Sequence, residues 1–250
     1  MNHCPLTNPQ PYQRPKDGMT GGGILPAIIG TALLTYVTTL LAVPFGVAAA
    51  VYLSEYASDN WLTRLIRACV RNLAGVPSII YGLFGVAIFA DGMSIGANLL
   101  ASGLTLGILT LPYIVTASEE ALKVVPGQLR EGALALGATK WESIQLVVLP
   151  AAFPGILTGA ILGLSRAAGE TAPILFTGVA FYLRHLPDSF DDQFMALPYH
   201  VYILSTQHHA IEEVRPLAYG TALILVLLVF VLNAAAFWIR YRARKARSWN

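Results

Sequence analysis

The chain has 250 residues, of which 12% are charged and 55% hydrophobic, with a formal net charge of +2. Soluble domains carry about 25% charged residues, so this composition excludes an ordinary soluble globule, and a mean hydropathy of +0.59 points to an integral membrane protein. The small net charge gives no case for nucleic-acid binding, and two cysteines in unlike settings, Cys4 and Cys69, suggest neither a disulfide nor a metal site.

Residues 1–23 are polar, rich in Pro and Gly, and have no apolar core of a signal peptide. Five apolar segments follow, at about 24–53, 73–90, 97–117, 144–166 and 217–239. Each is near the roughly 20 residues a helix needs to cross the hydrocarbon core. The expected fold is therefore all-α, a polytopic bundle of about five transmembrane helices. The stretch 171–183 is apolar but too short to cross, and it reads as a re-entrant or interfacial piece, or as an extension of the fourth span after Pro173. Pro44, Pro77, Pro112, Pro150 and Pro154, with Gly46, Gly82 and Gly85, lie in these segments. Membrane helices tolerate them where neighbours satisfy the freed backbone groups; Pro77 and Ser78 are read as helix-packing positions.

Lys and Arg set the orientation. Arg64, Arg67 and Arg71, then Lys123, Arg130 and Lys140, then Arg240, Arg242, Arg244, Lys245 and Arg247 all fall on one side of a five-span chain. That side is expected to be cytoplasmic and the tail at 1–23 external. The domain layout that follows is a permease domain at 24–240, with a cytoplasmic loop at 119–145, and a basic tail at 241–250.

The loop and its continuation read EGALALGATKWESIQLVVLP from Glu131 to Pro150. Pro126 can start a helix, good helix formers continue it, and Gly137 permits a left-handed turn. Thr139 can cap a second helix, with Glu142 as its capping-box partner. The expectation is a helix–Gly–helix hairpin whose Ala133 and Ala135 leave room for a partner. Trp141 is a plausible anchor.

Beyond it, Gly155, Gly159 and Gly163 recur every fourth residue and make a stripe for close helix contact. Continued at 100° per residue, the same face carries Arg166 and Glu170, which should point into the bundle. Charges within a membrane usually face the bundle interior or a water-filled path. An Arg–Glu pair at this spacing fixes helix register or, with Thr171 beside it, lines the path of an anion; Arg suits phosphate because its planar fork donates two parallel hydrogen bonds. His185, His200, His208 and His209 lie near Asp188, Asp191, Asp192, Glu212 and Glu213 without metal-ligand spacing, and a solvated loop is expected there. No catalytic residues and no cofactor are expected. No G-x4-G-K-[ST] sequence is present, so ATP hydrolysis would need a partner.

The spacing E-x-A-x3-G-x11-L-P, carried by Glu131, Ala133, Gly137, Leu149 and Pro150, resembles the cytoplasmic docking loop of ABC-importer permeases, with Gly132 where the family usually has Ala and Val147 in place of the usual Ile. The segments GVPSIIYGLF (from Gly75), SRAAGETAPILFTG (from Ser165), YLSEY and LPYHVY are similar to PstA-type permease subunits of phosphate ABC importers, and the likeness covers nearly all of 21–245. It implies a type I (MetI-like) importer bundle in a prokaryotic inner membrane. It also implies a sister permease (PstC-type), a pair of ATPase subunits (PstB-type) and an external phosphate-binding protein (PstS-type). The implied function is inorganic phosphate import; a permease for another oxyanion or small solute is the alternative. Such permeases often carry a further N-terminal span, which this sequence is expected to lack.

Overall fold

The computed structural model describes residues 24–183, 187, 189–208 and 211–245. The tail at 1–23 with Cys4, and Arg184, His185, Asp188, His209 and Arg247, lie outside the described residues. The elements are α1 (Leu25–Val51, continued by a π-helical turn Tyr52–Tyr56), α2 (Trp61–Leu73), α3 (Ser78–Gly85, continued by π-helical Val86–Gly92) and α4 (Leu99–Lys123). Then come α5 (Gly127–Ala135), α6 (Lys140–Ser143, continued by π-helical Ile144–Val148), α7 (Leu149–Gly169), α8 (Ala172–Thr177), α9 (Leu197–Thr206) and α10 (Ile211–Lys245). Among the described residues, Leu25–Tyr56, Leu99–Lys123, Lys140–Gly169 and Val214–Arg242 are long and apolar enough to cross a membrane, with a fifth span if the bent pair Trp61–Leu73 and Ser78–Gly92 is one.

The expected second span, 73–90, is not one helix. α2 ends at Leu73, and Gly75 and Val76 turn back on Asn72 and Leu73 before α3 begins. Pro77 disfavours a helical conformation at Val76, which forces the break. α2 itself is a strongly amphipathic helix capped by Asn60, whose Oδ1 accepts from the Thr63 N–H at 2.9 Å. Its arginines lower the average hydropathy, so the segment reads as loop in a sliding window.

The chain forms two compact units. One comprises the described residues up to Val37, Ser78–Leu106 and Ala168–Val229. Its core gathers Ala27, Met195, Leu197, Leu204, Val214 and Ala218. Here α8 packs on α3: a Cβ on Gly82 would stand 3.0 Å from both the Phe176 ring and the Pro173 backbone. The apolar stretch expected at 171–183 yields only the short α8, stopped at Gly178 with φ +146. α9 is anchored by the Leu197 N–H donating to Thr31 Oγ1 at 2.9 Å. The expected solvated loop is thereby corrected: His200 lies in α9 and is 2% exposed, and His208 is also buried. The second unit comprises Thr38–Pro77, Gly107–Ala167 and the chain from Phe230. Ala50, Leu53, Val115, Leu122, Val125, Val148, Ala152 and Ile156 form its core.

Candidate functional site

The hairpin at 126–143 forms as its local chemistry dictates. Pro126 stands immediately before α5. At the other end the Ala138 N–H bonds to the Ala133 carbonyl (3.2 Å) and the Gly137 N–H to that of Leu134 (3.0 Å). This is a Schellman arrangement with Gly137 at φ +86, the left-handed position that favours glycine. Thr139 then caps α6: its Oγ1 accepts from the Glu142 N–H, and Glu142 Oε2 accepts from the Thr139 N–H at 2.7 Å, a reciprocal capping box. The second arm continues without interruption through Gly169. Leu149 opens α7 with its N–H reaching back five residues to Ile144, and Pro150, which has no N–H to place, follows.

The tip of the hairpin is apolar and open. Leu136 is 91% exposed, and Leu134 and Trp141 are also exposed. A groove of about 420 Å³ runs between the arms, lined by Leu129, Gly132, Ala133, Leu136, Leu146 and Val147 among others. Glu131 is exposed and Ala133 half-buried at the groove. Such a surface suits burial against a protein partner rather than against water.

Beneath the hairpin lie ion pairs that sequence reading missed. Glu119, buried on α4, pairs with Arg67 (2.7 Å) and Lys123 (2.9 Å). Arg67 also donates to the Leu53 carbonyl at 2.6 Å. Arg130 pairs with Glu55 at 2.7 Å and donates to the carbonyls of Val125 (2.7 Å) and Leu122 (2.9 Å). These arginines thus satisfy carbonyls in the last turn of a helix or just beyond it. Of these pairs only Glu119–Lys123, four residues apart on one helix, could be read from spacing. The exposed Arg64–Asp59 pair is of a different kind: the Arg64 hydrogen bond lowers the Asp59 carboxyl below its ordinary range, but solvent screens the pair.

The glycines at 155, 159 and 163 of α7 lie against α4. A Cβ on Gly155 would meet the Ala121 Cβ at 2.6 Å, one on Gly159 would overlap Ala117, and one on Gly163 would stand 3.2 Å from the Ile114 side chain. Arg166 lies on the same side of α7, over the ring of Tyr113 in α4, 4.6 Å from the centroid, and is exposed on this chain. Tyr113 in turn donates its hydroxyl to the Ala74 carbonyl at 2.6 Å, in the turn after α2. α7 stops at Gly169, so Glu170 lies just past its end and Thr171 immediately before α8. Pro77 is exposed in the turn before α3, and Ser78 opens that helix. Among the described residues no cluster of metal-ligating side chains occurs.

Residues 42–246 match the family model described as binding-protein-dependent transport system inner membrane component. The chain is 38% identical over 226 residues to the phosphate transport system permease protein PstA 1 of Mycobacterium tuberculosis, covering 90% of this chain and 73% of that protein. It is 36% identical over 224 residues to the phosphate transport system permease protein PstA of Yersinia pestis (89% and 74%). It is 34% identical over 230 residues to the probable ABC transporter permease protein YqgI of Bacillus subtilis (88% and 78%). The fold is similar to the inward-facing MetNI methionine ABC transporter, with a TM-score of 0.72 at 21% identity over 88% of this chain and 95% of that one.

Proposed function

We propose that this chain, which belongs to the binding-protein-dependent transport system inner membrane component family, is the permease subunit through which an ATP-driven importer carries inorganic phosphate. Membership makes it a multi-pass membrane permease. The choice of phosphate is supported by relatives named as phosphate transport permeases at 36–38% identity over most of the chain. The basic loops and the hairpin face the cytoplasm, where positive charge accumulates. The hairpin inserts into an ATPase subunit that supplies the hydrolysis, and a second permease and an external binding protein complete the complex.

Arg166 is the observation that carries the reading at residue level. A guanidinium exposed on a membrane permease is costly to leave facing lipid. On a surface shared with a sister permease it meets the translocation path, where its fork can take two phosphate oxygens. The Tyr113 ring holds it in place between passing anions. Arg166→Gln should abolish ATP-dependent phosphate uptake in reconstituted vesicles, a loss of at least about tenfold, while the complex still assembles. Normal uptake by the assembled mutant would make Arg166 structural.

A further inference from the structure

α5 has no buried residue. The hairpin is open along its groove, so side-chain packing holds α5 only weakly to the rest of its unit. Its second arm is continuous with α7, and its first follows α4 after only Val124–Pro126. α1 has no such backbone connection to it. The second arm touches the turn that ends α1 through Lys140, whose ammonium lies 4.9 Å from the centroid of the Tyr56 ring; the first arm reaches the same turn through one half-buried side chain. Arg130 donates its Nε (3.2 Å) and Nη2 (2.7 Å) to the two oxygens of Glu55, in the turn that ends α1. Nη1 goes to the Val125 carbonyl and Nη2 also to Leu122, at the end of α4. The Glu55 side chain is 8% exposed, so this pair is largely withdrawn from water and is not the screened surface kind. The planar five-donor fork makes all four contacts at once; a lysine ammonium cannot.

We propose that Arg130 is a positioning residue that fastens the hairpin to α1, so that motion imposed on the hairpin reaches α1 through Glu55 as well as α7 through the backbone. The inference rests on the reading of the hairpin as the ATPase docking element. Neighbouring residues divide the work: Glu131 is exposed toward a partner, while Arg130 turns inward.

The test uses the complete complex in liposomes, with Cys4→Ser and Cys69→Ser to remove the native thiols of this chain. Maleimide labelling is followed at Tyr52→Cys on α1 and at Leu146→Cys on the second arm, with and without ATP. With Arg130 in place, ATP should change both labelling rates by about threefold or more. In Arg130→Met the Leu146→Cys response should persist and the Tyr52→Cys response should fall to about a third or less of its size, with the ATPase still co-purifying at the original stoichiometry. Arg130→Lys should restore part of it. Phosphate carried per ATP should fall by about tenfold in Arg130→Met.

A Tyr52→Cys response unchanged in Arg130→Met overturns the proposal. So does loss of both responses together with loss of the ATPase, which would make Arg130 a docking residue. Should Arg130→Met fail to assemble, Glu55→Gln decides: it leaves Arg130 on its carbonyls, and an undiminished Tyr52→Cys response would again overturn the proposal. The docking reading fails separately, if the ATPase still binds after Leu134 and Leu136 at the hairpin tip are both changed to Asp.

Discussion

Gly137 shows how much one backbone angle decides. Its φ is +86, and a Cβ there would meet nothing within 4 Å, so a substitution suffers conformational strain and no clash. Gly137→Ala should weaken the hairpin by about 1–2 kcal/mol and Gly137→Asn by less, because Asn tolerates the left-handed region. Retention of the ATPase on a permease affinity column should follow the order Gly, Asn, Ala. Gly159 is the opposite case, limited by space. Gly159→Val would drive α7 off α4 at Ala117 and should cost several kcal/mol through overpacking, read as loss of folded protein in detergent. His200 offers a pH test. Both ring nitrogens lack a hydrogen-bond partner and the ring stacks on Phe181 with centroids 6.1 Å apart. Burial lowers its pKa from 6.5 to about 4. Between those values the unfolded chain binds the extra proton, so stability should fall as pH drops from about 6.5 toward 4, by at most about 1.4 kcal/mol per pH unit. His200→Phe should flatten this part of the melting-temperature profile; an equal slope in both proteins would refute the assignment.

At the scale of elements, the hairpin is legible in sequence because each of its determinants is local: Pro126 before α5, Gly137 in its turn, and Thr139 with Glu142 at the start of α6. Gly137→Pro, which fixes φ near −65°, should therefore unmake the turn and release the ATPase, measured by co-purification; undiminished co-purification and uptake would refute this. The glycine stripe is legible for the same reason, since one helix period sets its face. α2 is hidden because its arginines dilute the hydropathy that marks a span. α9 is hidden because ten residues ending in Ser and Thr resemble a loop, and only the packing around Thr31 and Leu204 shows that it is core. Glu55 and Arg130 are 75 residues apart, and no periodicity connects them. The exposure of Arg166 is likewise a tertiary fact: a wheel places it beside Gly159 on the face that meets α4, and it does lie over the Tyr113 ring of α4, but only the packing shows that it stays exposed there.

At the scale of the whole molecule, the chain is a multi-pass permease whose hairpin tip is apolar and open and whose Arg166 is exposed. The hairpin tip exposes leucines that water does not favour, and Arg166 stands where lipid would not. Both features are accounted for if an ATPase covers the first and a sister permease faces the second. The most direct measurement is radiolabelled phosphate uptake into liposomes holding this chain, its sister permease and the ATPase, with the loaded binding protein outside and ATP within. The account predicts uptake that requires ATP and every subunit, and that unlabelled phosphate competes away. Uptake by this chain without ATP or ATPase, or an assembled complex that hydrolyses ATP but carries a different solute and no phosphate, would contradict it.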